Sequence, residues 1–322
     1  MKAVYYRRGD DLARIRQEIV GTHASAACAI GFFDGVHIAH RKLIGSAREY
    51  ADSRGLPLTV ITFFGDNARL KPDSPRLFDD DQRCELLFSA GADSVLMCDF
   101  SALSDMSPEE FVTDFLINGI GISVTVVGYN FRFGKGGSGT ADDLCALMRL
   151  HGGEGVRIDE IYANGTLPSS SLIRALLSAG KMRDAWALLG TPYFLTGKVT
   201  HGNGVGTGLG IPTVNTELPS GRFIPPLGVY SSVIPIAGRI YHALTNVGKC
   251  PTFGERQAHA ETYVIDFSGD LYGQEVKIYL IDYLREERTF PSADELILQI
   301  EKDKKQAAEL GKEIKWQEIG LK

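Results

Sequence analysis

Apolar residues in the first half of the chain fall into short runs, each followed by a stretch of helical periodicity. The runs are ACAIGFF, LPLTVITFF, SVLMCDF, SVTVVG and GVRIDEIY. Between them, HRKLIGSAREYADSRG, DDQRCELLFSAG, SPEEFVTDFLING and TADDLCALMRLHG space their apolar residues as amphipathic helices do. Gly91 stops the second helical stretch, and Ser107-Pro108-Glu109-Glu110 opens the third with a capping serine and a first-turn proline. Such β–α alternation predicts a parallel sheet covered on both faces, with ligands bound beyond the carboxyl ends of the strands.

The pattern changes near SSSLIRALLSAGKMRDAWALLG, which reads as two short helices. The glycine- and proline-rich TPYFLTGKVTHGNGVGTGLGIPTVNTELPSGRFIPPLGVY follows, then YHALTNVG, AETYVIDF and QEVKIYLIDYL. Short strands with frequent turn signals predict an antiparallel barrel or sandwich. The chain closes on SADELILQIEKDKKQAAELG, a helix with a serine or aspartate cap and an apolar stripe at Leu296, Ile297 and Ile300. We expect two domains, 1–185 and 186–322, without internal repeats.

Composition narrows the function classes. A chain of 322 residues, 44% hydrophobic, can bury two ordinary cores. Its net charge of −6 argues against a general nucleic-acid surface but not against a local phosphate pocket, which uses backbone N–H groups as well as cations. Cys28, Cys84, Cys98, Cys145 and Cys250 are dispersed and never spaced C-x-x-C, as for reduced, buried thiols. No run approaches the roughly 20 apolar residues of a membrane span, and the charged N-terminus lacks an apolar signal core. A cytoplasmic protein acting on small molecules, without nucleic-acid or membrane partners, is expected; the oligomeric state is not legible.

The stretch GFFDGVHIAH (31–40) carries the most chemistry. His37 and His40, three apart, share one face of a first helical turn. A zinc helix would space its histidines four apart around a glutamate, and a nucleophile elbow would read G-x-S-x-G; the chain has neither there. A nucleotide site fits better. Gly31 and Gly35 admit a close phosphate, the helix N-terminus favours anions, and the imidazoles can bond phosphate oxygens. On the decapeptide alone, a turn with one packed and one exposed histidine stays open. GYNFRFGKGG (128–137) misses the P-loop spacing and its Ser or Thr, and GNGVGTGLG (202–210) never spells G-x-G-x-x-G. SSSLIR (169–174) puts hydroxyls at a helix start with Arg174 nearby, which a plain serine cap and a solvated arginine would also explain.

In order, these motifs resemble those of the prokaryotic bifunctional riboflavin kinase/FMN adenylyltransferase (FAD synthetase) family across nearly the whole chain. GFFDGVHIAH resembles the family's G-x-FDG-x-H-x-GH signature, VGYNFRFGKGGSG its flavin-side loop, SSSLIR its SST-x-IR motif and LGIPTVN its LG-x-PTAN motif. PPLGVY, NVGKCPTFG, ETYVIDF, LYG and LREERTF follow in the family's order. The resemblance implies an α/β nucleotidyltransferase-type parallel-sheet domain, then a small antiparallel β-barrel kinase domain with a C-terminal helix. It implies phosphorylation of riboflavin to FMN and adenylylation of FMN to FAD, with ATP as co-substrate and Mg²⁺ or another divalent ion. In the barrel it implies Thr213 and Asn215 at the metal and ATP phosphates, Gly202, Gly206 and Gly210 along the phosphate path, and Glu261 as base for the ribityl hydroxyl. In the first domain it implies Gly31, Phe33, Asp34 and Gly35 at ATP, and His37 and His40 at the pentavalent transition state. Ser169, Ser170 and Arg174 would hold the leaving phosphates, and Asn130, Phe131 and Arg285 the flavin.

Departures from the family pattern cluster on the adenylyl site. Ala39 replaces a glycine, Asp66 a histidine in a strand end reading TFFGDN, Asn130 an aspartate and Gly137 a basic residue. A carboxylate at residue 66 would repel phosphates. Thr207 and Val214, in place of an arginine and an alanine, are milder. The departures leave two alternatives: a riboflavin kinase whose first domain adenylylates weakly or not at all, and a non-catalytic flavin-binding or regulatory protein.

Overall fold

The computed structural model describes residues 2–64, 75–200, 212–218, 221–249, 258–312 and 314. The chain forms two compact units, Met1–Ser170 and Ser171–Lys322. The first begins with β1 (Lys2–Tyr6), α1 (Leu12–Val20), β2 (Ala26–Ile30), α2 (Ile38–Ser53), β3 (Leu58–Phe64), α3 (Asp80–Ser89) and β4 (Ser94–Asp99). Short helices α4 (Phe100–Leu103) and α5 (Pro108–Glu110) follow, the latter widening into a π-helical stretch, Phe111–Gly119. Then come β5 (Ile122–Gly128), a small hairpin of β6 (Arg132–Phe133) and β7 (Gly139–Thr140), α6 (Ala141–Leu150) and β8 (Glu154–Ile158).

Six of these strands form one parallel sheet in the order β1-β4-β3-β2-β5-β8. From β2 the chain steps to β3 and β4 on one side; β5 and β8 lie on the other, so the strand order reverses between β2 and β5. Burial on both faces explains why β2 is an unbroken apolar run, AACAI, with every residue buried. Buried hydroxyls in the sheet are paired, as Thr59 with Ser94 at 2.9 Å. Cys28, Cys84, Cys98 and Cys145 are free and buried; Cys250 lies outside the described residues.

The second unit carries the body of α7 (Ser170–Ser178), then α8 (Met182–Leu189) and strands β9 (Phe194–Thr200), β10 (Thr213–Glu217), β11 (Gly228–Ile236), β12 (Arg239–Lys249), β13 (Ala258–Val264) and β14 (Glu275–Arg285). It ends in α9 (Ala293–Gly311). The six strands close an antiparallel barrel, β10-β13-β12-β11-β14-β9, and closure removes the sheet edges. Ser232, Thr245 and Thr262, from three adjacent strands, are buried and linked hydroxyl to hydroxyl at 2.7 and 3.0 Å. The parallel α/β unit and the antiparallel barrel with its closing helix are the architecture expected from the sequence, with a barrel in place of the sandwich alternative.

The expected boundary near residue 185 falls inside α8. Arg183 of that helix forks onto Asp282 of β14 at 2.7 and 2.9 Å and also donates to the Leu310 carbonyl near the end of α9. A second fork ties α9 down: Arg285 Nε and its terminal nitrogen reach Asp303 at 2.9–3.2 Å, and Gln299 donates to the same carboxylate at 2.6 Å. Asp303 is 2% exposed and Arg285 19%. Removing one partner from a buried pair strands the other charge. Asp303→Ala should therefore cost about 3 kcal/mol, measured by urea unfolding followed at the barrel, and Arg285→Met in the same chain should recover part of it.

Candidate active sites

The reversal of strand order leaves a crevice above the carboxyl ends of β2 and β5, between Gly31 and Gly128. The segment leaving β2 is strained. Phe33 (φ 46°) and Val36 (φ 41°) both sit in the left-handed region, costly above all for a β-branched side chain. Its neighbours hold it there. Asp34, buried, accepts from the Leu77 N–H at 3.0 Å, and Thr62 Oγ1 donates to the Phe32 carbonyl at 2.9 Å. A Cβ on Gly31 would stand 3.0 Å from the Phe33 ring and would push that ring off the strand end by a few tenths of an ångström.

His37 caps α2, its Nδ1 accepting the His40 N–H at 3.4 Å, which leaves Nε2 to carry the proton. The two imidazoles stack 3.6 Å apart at 15°, and the Phe33 ring meets His40 edge-on at 5.1 Å. Burial pushes His37 down to about 4. Burial also lowers His40 well below its ordinary value, helped by His37 and by the Arg83 guanidinium. Both rings are thus neutral at pH 7, able to donate hydrogen bonds as dipoles rather than to act as cations. Among the described residues, His40 Nδ1 is buried without a hydrogen-bond partner.

The crevice opens into a cavity of about 430 Å³ walled by aromatic rings. Phe32 packs on Phe63 and Phe100 at 5.1 and 5.9 Å, and Phe131 stacks on Phe133 at 5.8 Å. Asn130 lies at its rim. Such walls suit a flat aromatic ligand. Gly137 sits at φ 68° in the turn after β6, so a basic residue there would adopt a left-handed backbone. Ala39 lies in the first turn of α2. Ser169 and Ser170 end the first unit, whereas Arg174 lies on the part of α7 assigned to the second. Asp66, Gly202, Gly206, Thr207 and Gly210 lie outside the described residues.

The barrel has a cavity of about 340 Å³ between its outer face and α9, lined by Thr213, Glu261, Asn246, Arg285, Leu296 and Ile300 among others. Strand register builds its polar side. Glu261 stands opposite Asn215 of β10 and Asn246 of β12, while Thr213 lies two residues before Asn215 on the same face. Asn215 Nδ2 donates to the Thr213 carbonyl at 3.2 Å and to its hydroxyl at 3.4 Å. His259, two residues before Glu261, places Nε2 3.4 Å from the carboxylate, and that hydrogen bond holds Glu261 below the usual carboxylate range despite partial burial. Val214 faces away, being adjacent to Thr213 on the same strand.

Three residues escaped the reading of the sequence. His259 and Asn246 share the face of Glu261 by strand parity and register, a signal available only once the strands are paired. Asn246 donates to Glu287 at 2.8 Å, and its buried Oδ1 has no hydrogen-bond partner among the described residues. Arg83 looked like one charge on an amphipathic helix but is 2% exposed, beneath the first site. Arg285, expected at the flavin, lines the cavity with its guanidinium forked onto Asp303.

The riboflavin kinase family model matches residues 189–310, and the FAD synthetase model residues 20–172. A bifunctional riboflavin kinase/FMN adenylyltransferase of Bacillus subtilis (strain 168) is 33% identical over 296 residues, covering 88% of this chain and 92% of that protein. One from Escherichia coli (strain K12) is 30% identical, covering 87% and 91%. A solved structure described as a macrolide-efflux protein from Streptococcus pneumoniae superposes with a TM-score of 0.81 at 28% identity, covering 95% of this chain and 98% of that one. Among the described residues, no helix is long and apolar enough to cross a membrane. With two matched modules in succession and one-third identity sustained along nearly its whole length, the chain belongs to the bifunctional riboflavin kinase/FMN adenylyltransferase family.

Proposed function

We propose that the barrel cavity phosphorylates riboflavin to FMN and that the crevice above β2 and β5 adenylylates FMN to FAD, each with ATP. The observation that carries this reading is the partition of the cavities. The aromatic crevice lies within the stretch matched by the FAD synthetase model, and the barrel cavity within the stretch matched by the riboflavin kinase model.

In the barrel, Glu261 is ionised at neutral pH and takes the proton of the ribityl hydroxyl as that oxygen attacks the γ-phosphorus of ATP and the bond to the β,γ-bridging oxygen breaks, releasing ADP. His259 orients the carboxylate, and α9 closes the apolar wall with Leu296 and Ile300. The Thr213 hydroxyl, the Asn215 amide oxygen and the nearby carboxylate are hard oxygen donors that fit Mg²⁺. When bound, that ion supplies charge neutralisation at the ATP phosphates. In the crevice, the FMN phosphate attacks the α-phosphorus of ATP and pyrophosphate leaves. The attacking oxygen is already ionised, so no protein nucleophile is needed. Neutral His37 and His40 donate hydrogen bonds to the charge developing on phosphorus, and the N-terminus of α2 adds its backbone donors. Ser169 and Ser170 serve the leaving phosphates. The match to the FAD synthetase model alongside the riboflavin kinase model, and relatives named for both activities, do not favour the kinase-only alternative.

A chromatographic time course with riboflavin, ATP and Mg²⁺ should show FMN rising and then FAD, and FAD directly when FMN is supplied. FMN that never advances would overturn the adenylyl assignment. Glu261→Ala should lower FMN formation by roughly 10²–10⁴-fold while riboflavin still binds by fluorescence quenching; undiminished turnover would refute its role. Proton NMR of the free protein should show His37 titrating near 4. A midpoint at the ordinary 6.5 would mean that the imidazole is wet and charged in the working range.

A further inference from the structure

Arg83 lies on α3 with its guanidinium turned toward the ends of β2 and β3 rather than into solvent, and it is 2% exposed. One terminal nitrogen donates to the Phe63 carbonyl at 3.0 Å and to Asp80 at 2.9 Å. The other donates to the Phe32 carbonyl at 2.8 Å and to the Thr62 hydroxyl. We propose that Arg83 is the positioning residue of the adenylyl-transfer crevice, locking the Phe32–Phe33 peptide against the end of β3 and thereby fixing the strained loop that carries His37 and His40.

The argument runs through one peptide plane. The Phe32 carbonyl and the Phe33 N–H belong to the same rigid amide, so holding that oxygen holds the orientation from which Phe33 enters its left-handed conformation. Two donors, Arg83 and the Thr62 hydroxyl, occupy both lone pairs of the carbonyl. Phe33 then passes the constraint on: its ring covers Gly31 and meets His40 edge-on, and His40 stacks on His37. Left-handed Phe33 and Val36 persist only where surrounding contacts over-determine them, and Arg83 supplies such a contact from below.

Stability alone gives little reason for this arginine, since a buried ionic group can often be replaced by apolar side chains without loss. Its Nε is buried with no hydrogen-bond partner among the described residues, as is His40 Nδ1 in the same site.

The inference rests on the adenylyl reading of the crevice, and both can be tested in one assay of the full chain. Steady-state FAD formation from FMN and ATP is measured for wild type, Arg83→Met, Arg83→Lys and Thr62→Val, with riboflavin phosphorylation as the measure of active protein. Arg83→Met should lower kcat on the order of 100-fold, as a displacement of about 1 Å does, with KM for FMN and ATP little changed. Arg83→Lys should recover part of the loss, and Thr62→Val should fall between. Wild-type kcat in Arg83→Met, or a loss carried by KM alone, overturns the inference. Should Arg83→Met fail to fold, Thr62→Val decides, and an unchanged kcat there overturns it. A wild-type chain that makes no FAD overturns the functional reading itself.

Discussion

Two neighbouring parallel strands whose onward connections leave in opposite directions cannot have the space above their carboxyl ends filled by either crossover. In this chain those strands are β2 and β5, and the crevice between them is the constraint on which the first unit's chemistry depends. The crossover from β2 enters α2 directly, so the free N–H groups of a 16-residue helix point at the opening. The connection from β5 brings the phenylalanines of the β6–β7 hairpin to the same place. Anion-seeking backbone and aromatic wall thus meet because of strand order, before any particular side chain acts.

In the barrel, strand parity performs the same sorting. Thr245 and Thr262 point inward and join Ser232 in a buried hydroxyl chain, while their neighbours Asn246 and Glu261 point outward into the cavity. A shift of one residue in register would exchange the two sets. Closure of the six strands prevents that slip, and the two-sided pairing of β13 leaves Glu261 flanked by asparagines on both neighbours.

Much of this was legible in the sequence. The parallel unit announced itself through apolar runs such as AACAI, which need burial on both faces. The barrel showed in short strands and dense turns, and the paired histidines were placed by their spacing of three. What escaped detection has a common cause. β1 is an edge strand, half exposed, with no clean alternation, and β6 and β7 are two residues each. Arg83 belongs to a helix whose apolar and polar faces are weakly separated, and nothing local says that a long side chain dips beneath two strand ends. His259 and Asn246 become neighbours of Glu261 only through cross-strand pairing, and the tie of Arg285 to Asp303 spans from a strand to a helix 18 residues on.

The attachment of α9 has a consequence for how the kinase cavity breathes. The barrel wall is a continuous backbone ladder, neutral and indifferent to ions in solution. The helical wall is held in large part by charged side chains: Arg183 at the Leu310 carbonyl, Arg285 at Asp303, and Arg288 at Gln299. Screening weakens exposed charge contacts far more than backbone ladders. The Arg285–Asp303 fork is buried and screened little, so this wall of the barrel cavity stays seated as ionic strength rises.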